Sequence, residues 1–315
     1  MVTNHHPIFS RYDQWTGFVR NGYSANFLGV RTNQRFVMDL QSELVDDQNS
    51  AIASGTEMQP PLPAFDEEYF EWIDVLEAVD EAVHQFTMVE LGAGYGRWLM
   101  NGAAAARQRG LPQFLIGVEA EPTHHRWMSE HLQENGVDRS SIRLYEAAVS
   151  DRNGEVMFHI GDPADWYGQA IASGEAARND RPTLVERARR VLGNPQPAAS
   201  GRSIAKVRAI SLRTILTELS EVDLIDLDVQ GSEADVLEAA ASELNSKVRR
   251  VHIGTHSTGN EARCRSLFSS LGWLKRNDYA CGVTNDTPFG RIVFQDGVQT
   301  WINQNLSGKR QRTAR

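Results

Sequence analysis

The sequence has few cysteines, no excess of basic residues and no long apolar run, and each shortage excludes a class of protein. Its two cysteines, Cys264 and Cys281, are too few for a disulfide framework or for a metal cluster of their own. The 41 Asp and Glu residues outnumber the 32 Lys and Arg residues, and the resulting net charge of −9 has the wrong sign for a default nucleic-acid binder. No apolar run approaches about 18 residues, and the first residues lack a basic segment followed by an apolar one. These features predict a soluble, cytoplasmic protein.

The most informative stretch is Glu90-Leu91-Gly92-Ala93-Gly94-Tyr95-Gly96, between a short apolar run and a predicted helix. Glycines at alternate positions let the backbone turn sharply and come close to a ligand. A dinucleotide-binding turn needs another glycine where this chain has Arg97, which disfavours a nicotinamide-dependent dehydrogenase. An acidic residue two positions before G-x-G-x-G instead resembles the first motif of class I S-adenosylmethionine-dependent methyltransferases. The resemblance implies a cofactor-binding loop made of Glu90, Gly92, Ala93, Gly94 and Gly96.

Two later strand ends complete the predicted cofactor site. Glu119 directly follows the predicted strand 114–118, and a carboxylate there could accept hydrogen bonds from both hydroxyls of an adenosyl ribose. Glu119 is preferred because it ends the strand, and Glu121 is the alternative. Ala147 and Ala148 follow the next strand, where small residues suit a flat adenine ring, although a plain tight turn would look the same.

Acidic and histidine residues at strand ends are the candidates for chemistry. Asp226 and Asp228 lie in an otherwise apolar strand, where a buried carboxylate is costly unless it is paired. In a parallel sheet ligands bind beyond the C-terminal strand ends, so Asp228 and His256 are the predicted catalytic pair. With Glu233 they could instead hold a divalent ion such as Mg²⁺, but a metal-free site is preferred because the spacing is no recognised metal motif. A structural salt bridge for the acids and a surface loop for His256 remain alternatives.

Four segments in this order resemble the FkbM family of S-adenosylmethionine-dependent O-methyltransferases: 90–96, 121–122, 147–151 and 225–233. The similarity runs from about Glu90 to His256, roughly half of the chain. The family pattern in the last segment is similar to I-D-L-L-K-I-D-V-E-G-A-E. Where the family has a lysine, this chain has Asp226, a residue of opposite charge. The resemblance implies methylation of a hydroxyl group on a sugar or a polyketide-type metabolite.

The alternation of strands and helices, together with this resemblance, predicts an α/β fold of the class I methyltransferase type. We expect a Rossmann-like, mostly parallel seven-stranded sheet with helices on both faces. An antiparallel C-terminal pair is predicted from 273–279 and 291–294. The predicted domains are an N-terminal extension or cap at 1–61, a methyltransferase domain at 62–307 with an insertion at about 161–203, and a basic tail at 308–315. The extension could also be a dimerisation arm or plain packing, and the insertion could contact substrate or be disordered.

Other classes of function fit the sequence less well. A methyltransferase of nucleic-acid bases is disfavoured by the net charge and by the lack of an Asn-Pro-Pro-aromatic turn after a strand. A relative that binds a cofactor or partner without catalysis remains an alternative. The predicted partner is a small-molecule or glycan acceptor, with no nucleic acid and no membrane span, and the protein could be a homodimer.

Overall fold

The computed structural model describes residues 4–37, 57–160, 171 and 203–306. The strands are β1 Gly17–Phe18, β2 Tyr23–Ala25, β3 Arg31–Asn33, β4 Glu57–Met58, β5 Phe86–Leu91, β6 Gln113–Glu119, β7 Ile142–Glu146, β8 Ala148–Ser150, β9 Gly154–Ile160, β10 Ser203–Ser211, β11 Val222–Leu227, β12 Val248–Thr255, β13 Leu274–Tyr279, β14 Val283–Thr287, β15 Gly290–Phe294 and β16 Gly297–Ile302. The α-helices are α1 Tyr69–Glu81, α2 Arg97–Gln108, α3 Pro122–Glu134, α4 Leu212–Thr217, α5 Glu233–Ala239, α6 Ala241–Lys247 and α7 Thr258–Ser270. Among these residues no helix has both the length and the apolar character needed to cross a membrane.

The main sheet has seven strands in the order β13-β16-β12-β11-β5-β6-β7. The strands β12, β11, β5, β6 and β7 are parallel neighbours, while β16 runs antiparallel to β12 and β13. Helices α1 to α3 contribute to the apolar core on one face, and α4 to α7 contribute to the core on the other. The predicted α/β architecture with helices on both faces is therefore confirmed.

The strands of the antiparallel C-terminal pair differ from those predicted. The prediction that 273–279 pairs with 291–294 is wrong, because β13 pairs with β16 and β15 forms a separate hairpin with β14. Strand β16 was not predicted from the sequence. This strand is buried at five of its six positions but carries the polar residues Gln299 and Thr300, so its sequence does not show the alternation of a half-exposed strand.

Two helix boundaries also differ from the sequence pattern. The sequence pattern predicts a helix that begins just after Asp66 and carries one apolar stripe formed by Phe70, Ile73, Leu76, Val79 and Val83. Helix α1 instead begins at Tyr69, whose amide donates a turn hydrogen bond to the Asp66 carbonyl oxygen. Val83 lies beyond the end of α1 and is 50% exposed, so it is not part of the buried stripe. The sequence also predicts one helix over 233–244 with Ser232 as its N-cap. In the structure this helix is broken at Ala240 into α5 and α6, and the Ser232 side chain makes no capping hydrogen bond.

The N-terminal segment packs onto the sheet-bearing part of the chain. Ile8, Phe9 and Phe27 belong to the same apolar cluster as α1 and α2. The ring of Phe36 stacks on Tyr95 of the glycine turn at a centroid distance of 5.7 Å. Residues within 4–37 therefore pack against the part of the chain that carries the sheet. The domain boundaries stay a prediction, and most of the predicted insertion and all of the basic tail lie outside the described residues.

A buried arginine joins α1 to the centre of the sheet. Arg250 on β12 is 1% exposed, and its Nη1 lies 2.8 Å from both Asp74 Oδ1 and Glu77 Oε2. Its Nη2 lies 2.9 Å from Glu81 Oε1. Three carboxylates from one helix thus hold one guanidinium, which fixes α1 across the sheet.

We expect Arg250→Met to lower the free energy of unfolding by about 3–5 kcal/mol, because Asp74 would remain buried without its cationic partner. Urea denaturation measures this change. Arg263→Met is the matched control, since Arg263 pairs with Asp235 and Glu238 on the surface and should contribute no more than about 1 kcal/mol. Equal losses in the two variants would contradict the assigned role of Arg250.

Candidate active site

The glycine turn is held against the neighbouring strand end. Gly92, Gly94 and Gly96 have φ values of 80°, 53° and 71°, in the left-handed region that favours glycine. A Cβ on Gly92 would lie 1.8 Å from the backbone oxygen of Asp228, so no larger residue fits there. Glu90 precedes the turn and accepts a hydrogen bond of 2.8 Å from the Leu99 amide. The turn therefore joins β5, the end of β11 and the start of α2.

A cavity of about 550 Å³ opens at this edge of the sheet, a size typical of small-molecule sites. Its apolar lining includes Val118, Ala120, Ala147, Ala148, Val149, Phe158 and Ile171. Its acidic lining consists of Glu67, Glu68, Glu71, Glu90, Glu119, Asp226, Asp228 and Asp296. Arg97 also lines it, but both of its terminal nitrogens lie 2.6 Å from oxygens of Glu68. Of the apolar lining residues, Ala120, Ala148, Phe158 and Ile171 pack together, and we call this part of the lining the apolar slot.

The two acids predicted for the ribose have different surroundings. Glu119 lines the cavity, and its two oxygens accept hydrogen bonds from the amides of Gly94 at 2.8 Å and Glu121 at 2.7 Å. Burial raises the pKa of Glu119 to about 7, although these amides act in the opposite direction. Glu121 instead caps α3 by accepting from the His124 amide at 2.6 Å. Of the two acids, Glu119 has the position that a cavity ligand can reach.

Asp228 and His256 lie together, as their strand ends predict. His256 Nε2 lies 3.2 Å from Asp228 Oδ1 and 3.6 Å from Asp296 Oδ1. The Asp228 contact is ionic rather than a well-aligned hydrogen bond. On the other side of the ring, His256 Nδ1 bonds to the fully buried Glu233 at 2.7 Å. Asp228 faces the cavity with a side chain that is 53% exposed.

These carboxylates set the charge of the histidine. Burial would lower the pKa of His256, but Asp228 and Glu233 together raise it to about 11. These contacts favour the imidazolium form of the ring, with a proton on each nitrogen. Asp228, Glu233 and His256, predicted as an alternative metal set, form an ion-pair network in this structure.

A second group of polar side chains, which sequence reasoning missed, crosses the sheet below the cavity. Glu90, Asp226, His252 and Thr300 are paired neighbours on β5, β11, β12 and β16, and we call them the polar row. Helix α1 covers this face, and Asp74 Oδ2 lies 2.8 Å from His252 Nδ1 and also accepts from the Thr300 hydroxyl. Asp226 was recognisable as an unusual acid in an apolar strand. Nothing in the sequence showed that α1 would bring Asp74 and Glu71 to it.

Burial perturbs the acids of the polar row. The pKa values of Glu71 and Glu90 are raised well above the usual range, first by burial and then by the charge of Asp226. Burial also raises the pKa of Asp226. For Asp74 the hydrogen bond from His252 and the charge of Arg250 outweigh burial, and its pKa is lowered. The partners of Asp74 on α1 therefore favour its ionised form, whereas burial favours the protonated forms of Glu71 on α1 and of Glu90 and Asp226 in the row.

The seven-stranded sheet, the glycine turn after β5 and a cavity at the strand ends define the class I methyltransferase fold. Residues 90–281, more than half of the chain, match the family described as the methyltransferase FkbM domain. The chain belongs to this family and is a methyltransferase.

Similarity to individual proteins is more distant. The chain is 29% identical over 287 residues to a protein of Jannaschia sp. (strain CCS1) named "Putative methyltransferase", covering 88% of this chain and 91% of that protein. The crystal structure of methyltransferase FkbM from Methylobacillus flagellatus KT is 12% identical with a TM-score of 0.43. The alignment covers 70% of the present chain and 44% of the Methylobacillus flagellatus chain. Precorrin-6y C5,15-methyltransferase from Geobacter metallireducens GS-15 is 9% identical over 72% of this chain and 86% of that chain, with a TM-score of 0.38.

Proposed function

We propose that this protein is an S-adenosylmethionine-dependent O-methyltransferase that acts on a hydroxyl of a sugar or of a glycosylated or polyketide-type metabolite. The observation that carries the proposal is a single cavity that combines the glycine turn, Glu119, an apolar slot and the exposed carboxylate of Asp228. The cavity size and the acidic net charge of the chain favour a small-molecule or glycan acceptor over a nucleic acid.

The residues present suit the chemistry of this cofactor. The apolar slot, which includes Ala148 and adjoins Ala147, can hold a flat adenine ring, and Glu119 can accept from ribose hydroxyls. The glycine turn brings the backbone of Gly92, Ala93 and Gly94 close to the proposed place of the amino-acid part, and Gly96 completes the turn outside the cavity lining. When bound, S-adenosylmethionine supplies a methyl group activated by a sulfonium. An acidic cavity stabilises such positive charge.

The proposed role of Asp228 is to accept the proton of the acceptor hydroxyl. That proton becomes strongly acidic only as the oxygen gains its methyl group, so a carboxylate is a sufficient base when it is held at hydrogen-bonding distance. The imidazolium of His256 positions Asp228, and Glu233 positions His256. Alignment of the two reacting centres and exclusion of water remain the main contributions of the protein.

A methyl-transfer assay with labelled S-adenosylmethionine and a panel of sugars and glycosylated metabolites tests the function. We expect label in an acid- and base-stable methyl ether of at least one acceptor. Calorimetry that detects NAD binding, and neither S-adenosylmethionine nor S-adenosylhomocysteine binding, would contradict the proposal. Cofactor binding without turnover on any acceptor would instead support the non-catalytic alternative.

Glu119→Ala should weaken cofactor binding by about 1.5–3 kcal/mol, the usual contribution of hydrogen bonds to a charged group. Calorimetry with S-adenosylhomocysteine measures the loss. Glu121→Ala is the control, because it removes only the cap of α3 and should lower stability by about 1 kcal/mol with little change in affinity. A loss of affinity in Glu121→Ala alone would assign the ribose to Glu121.

Cofactor affinity should also depend on pH through Glu119. Because its pKa is raised to about 7, the carboxyl carries a proton in mildly acidic solution and has less capacity to accept from two hydroxyls. We therefore expect affinity to increase as the pH rises from about 6 to about 8. Glu119→Gln, which does not titrate, should lose this dependence. A parallel rise in the variant would show that another group is responsible.

A further inference from the structure

The floor of the cavity contains a set of metal-type donors that lies apart from the His256 network. One carboxylate oxygen of Glu71, one of Asp226 and one ring nitrogen of His252 all lie within 4.8 Å of one another. The three residues come from α1, β11 and β12, and all of them line the cavity. Donors bound to one ion at about 2.1 Å lie about 3–4 Å apart, so small side-chain rotations would bring these three around a common centre.

The histidine in this set is oriented for ligation by its outer neighbour. Asp74 Oδ2 holds His252 Nδ1 at 2.8 Å, which leaves Nε2 for the cavity side. Asp74 is in turn fixed by Arg250 at 2.8 Å and by the Thr300 hydroxyl. A carboxylate that holds the second nitrogen of a histidine is the usual support of a metal-bound imidazole.

The second observation is an unpartnered oxygen on Asp226. This residue is 3% exposed, and its Oδ1 has no hydrogen-bond partner among the described residues. A buried acceptor without a partner is unfavourable by about 1–3 kcal/mol, so the site is incomplete as it stands. Arg97 does not complete it, because its guanidinium is held by Glu68.

We propose that Glu71, Asp226 and His252 bind one divalent first-row transition ion, of which Mn²⁺ and Zn²⁺ are representatives. Two carboxylate oxygens with one imidazole nitrogen suit such ions better than the oxygen-only environment that Mg²⁺ and Ca²⁺ prefer. Three protein ligands leave coordination positions open on the cavity side. The inference does not depend on the identity of the methyl donor or acceptor.

Titration of the chelator-treated, cofactor-free full chain with Mn²⁺, followed by electron paramagnetic resonance, tests this proposal. We expect one saturable site per chain. Asp226→Asn removes a proposed ligand and should weaken Mn²⁺ binding by more than about 100-fold. Asp74→Asn changes only the residue that orients His252 and should weaken binding by about 10–100-fold. Asp296→Asn is the matched control, a cavity acid outside the donor set, and should bind Mn²⁺ as the wild type does.

Thermal unfolding gives an independent measurement. Asp226→Asn removes one of several crowded carboxylates, so the metal-free variant should have a melting temperature equal to or above that of the metal-free wild type. Mn²⁺ or Zn²⁺ should raise the melting temperature of the wild type but not that of the variant. Glu71→Gln serves as the second ligand variant. No saturable binding of either ion by the wild type up to about 1 mM, or equal binding by Asp226→Asn, would overturn the proposal. Because the assay uses no methyl donor, a negative result leaves the proposed methyl transfer unaffected.

Discussion

Gly94→Val is expected to abolish binding of S-adenosylmethionine and S-adenosylhomocysteine while the protein remains folded. Gly94 has a φ of 53° and lines the cavity, and its amide donates to the Glu119 carboxylate. A β-branched side chain is strained in this conformation and would project from the backbone that the cofactor approaches. Calorimetry measures binding, and circular dichroism measures the folded fraction.

Gly110→Val separates backbone strain from the loss of the binding surface. Gly110 has a similar φ of 66° after α2, and a Cβ there would meet open space. Both variants should lose stability through strain, but Gly110→Val should keep its cofactor affinity. Retained affinity in Gly94→Val would remove the glycine turn from the proposed cofactor site.

Asp228→Asn is expected to lower turnover by about 10²–10⁴-fold, the range typical of general acid–base groups. The amide keeps the shape of the carboxylate but cannot take the hydroxyl proton. Folding and cofactor affinity should be unchanged, because the side chain of Asp228 is half-exposed. His256→Ala should also lose turnover within this range, because Asp228 would lose the cation that positions it. Steady-state kinetics and thermal unfolding measure the two properties separately.

Asp296→Asn is the control for charge alone, since Asp296 also lies near His256 but at 3.6 Å. We expect less than about a tenfold change in turnover for this variant. If Asp228 were only structural, Asp228→Asn would lower the melting temperature, and activity would fall in proportion to the folded protein. A folded Asp228→Asn enzyme with normal turnover would rule out the proposed base.

The predictable parts of the fold were those with local signals. The apolar run before Gly92 identified β5. Serine is a residue type that favours helix N-caps, and Ser211 caps α4 by accepting a hydrogen bond from the Thr214 amide. Strand β16 was missed because its polar residues are satisfied by distant partners, such as the Asp74 carboxylate that accepts from Thr300. A sequence pattern reflects the local environment of a residue, whereas the burial of the polar residues of β16 depends on contacts with distant parts of the chain.

The candidate site was predictable to the same extent. Glu119, Asp228 and His256 were located because each follows an apolar strand, and strand ends of a parallel sheet meet at one edge. The charge of His256 was not predictable, because it depends on how closely Asp228 and Glu233 approach the ring in the folded chain. Glu71 and His252 lie 181 positions apart in sequence and meet only when α1 packs across the sheet.

The place of β16 also constrains how the chain can fold during synthesis. This strand lies between β12 and β13, both of which precede it in the sequence. Until residue 302 has left the ribosome, β12 and β13 have no partner on their facing edges, and unpaired edges are prone to aggregation. The family-matched range 90–281 ends before β16. A fragment cut to that range would therefore always lack the strand that pairs with β12 and β13. Expression of truncated chains should therefore retain residues through Ile302.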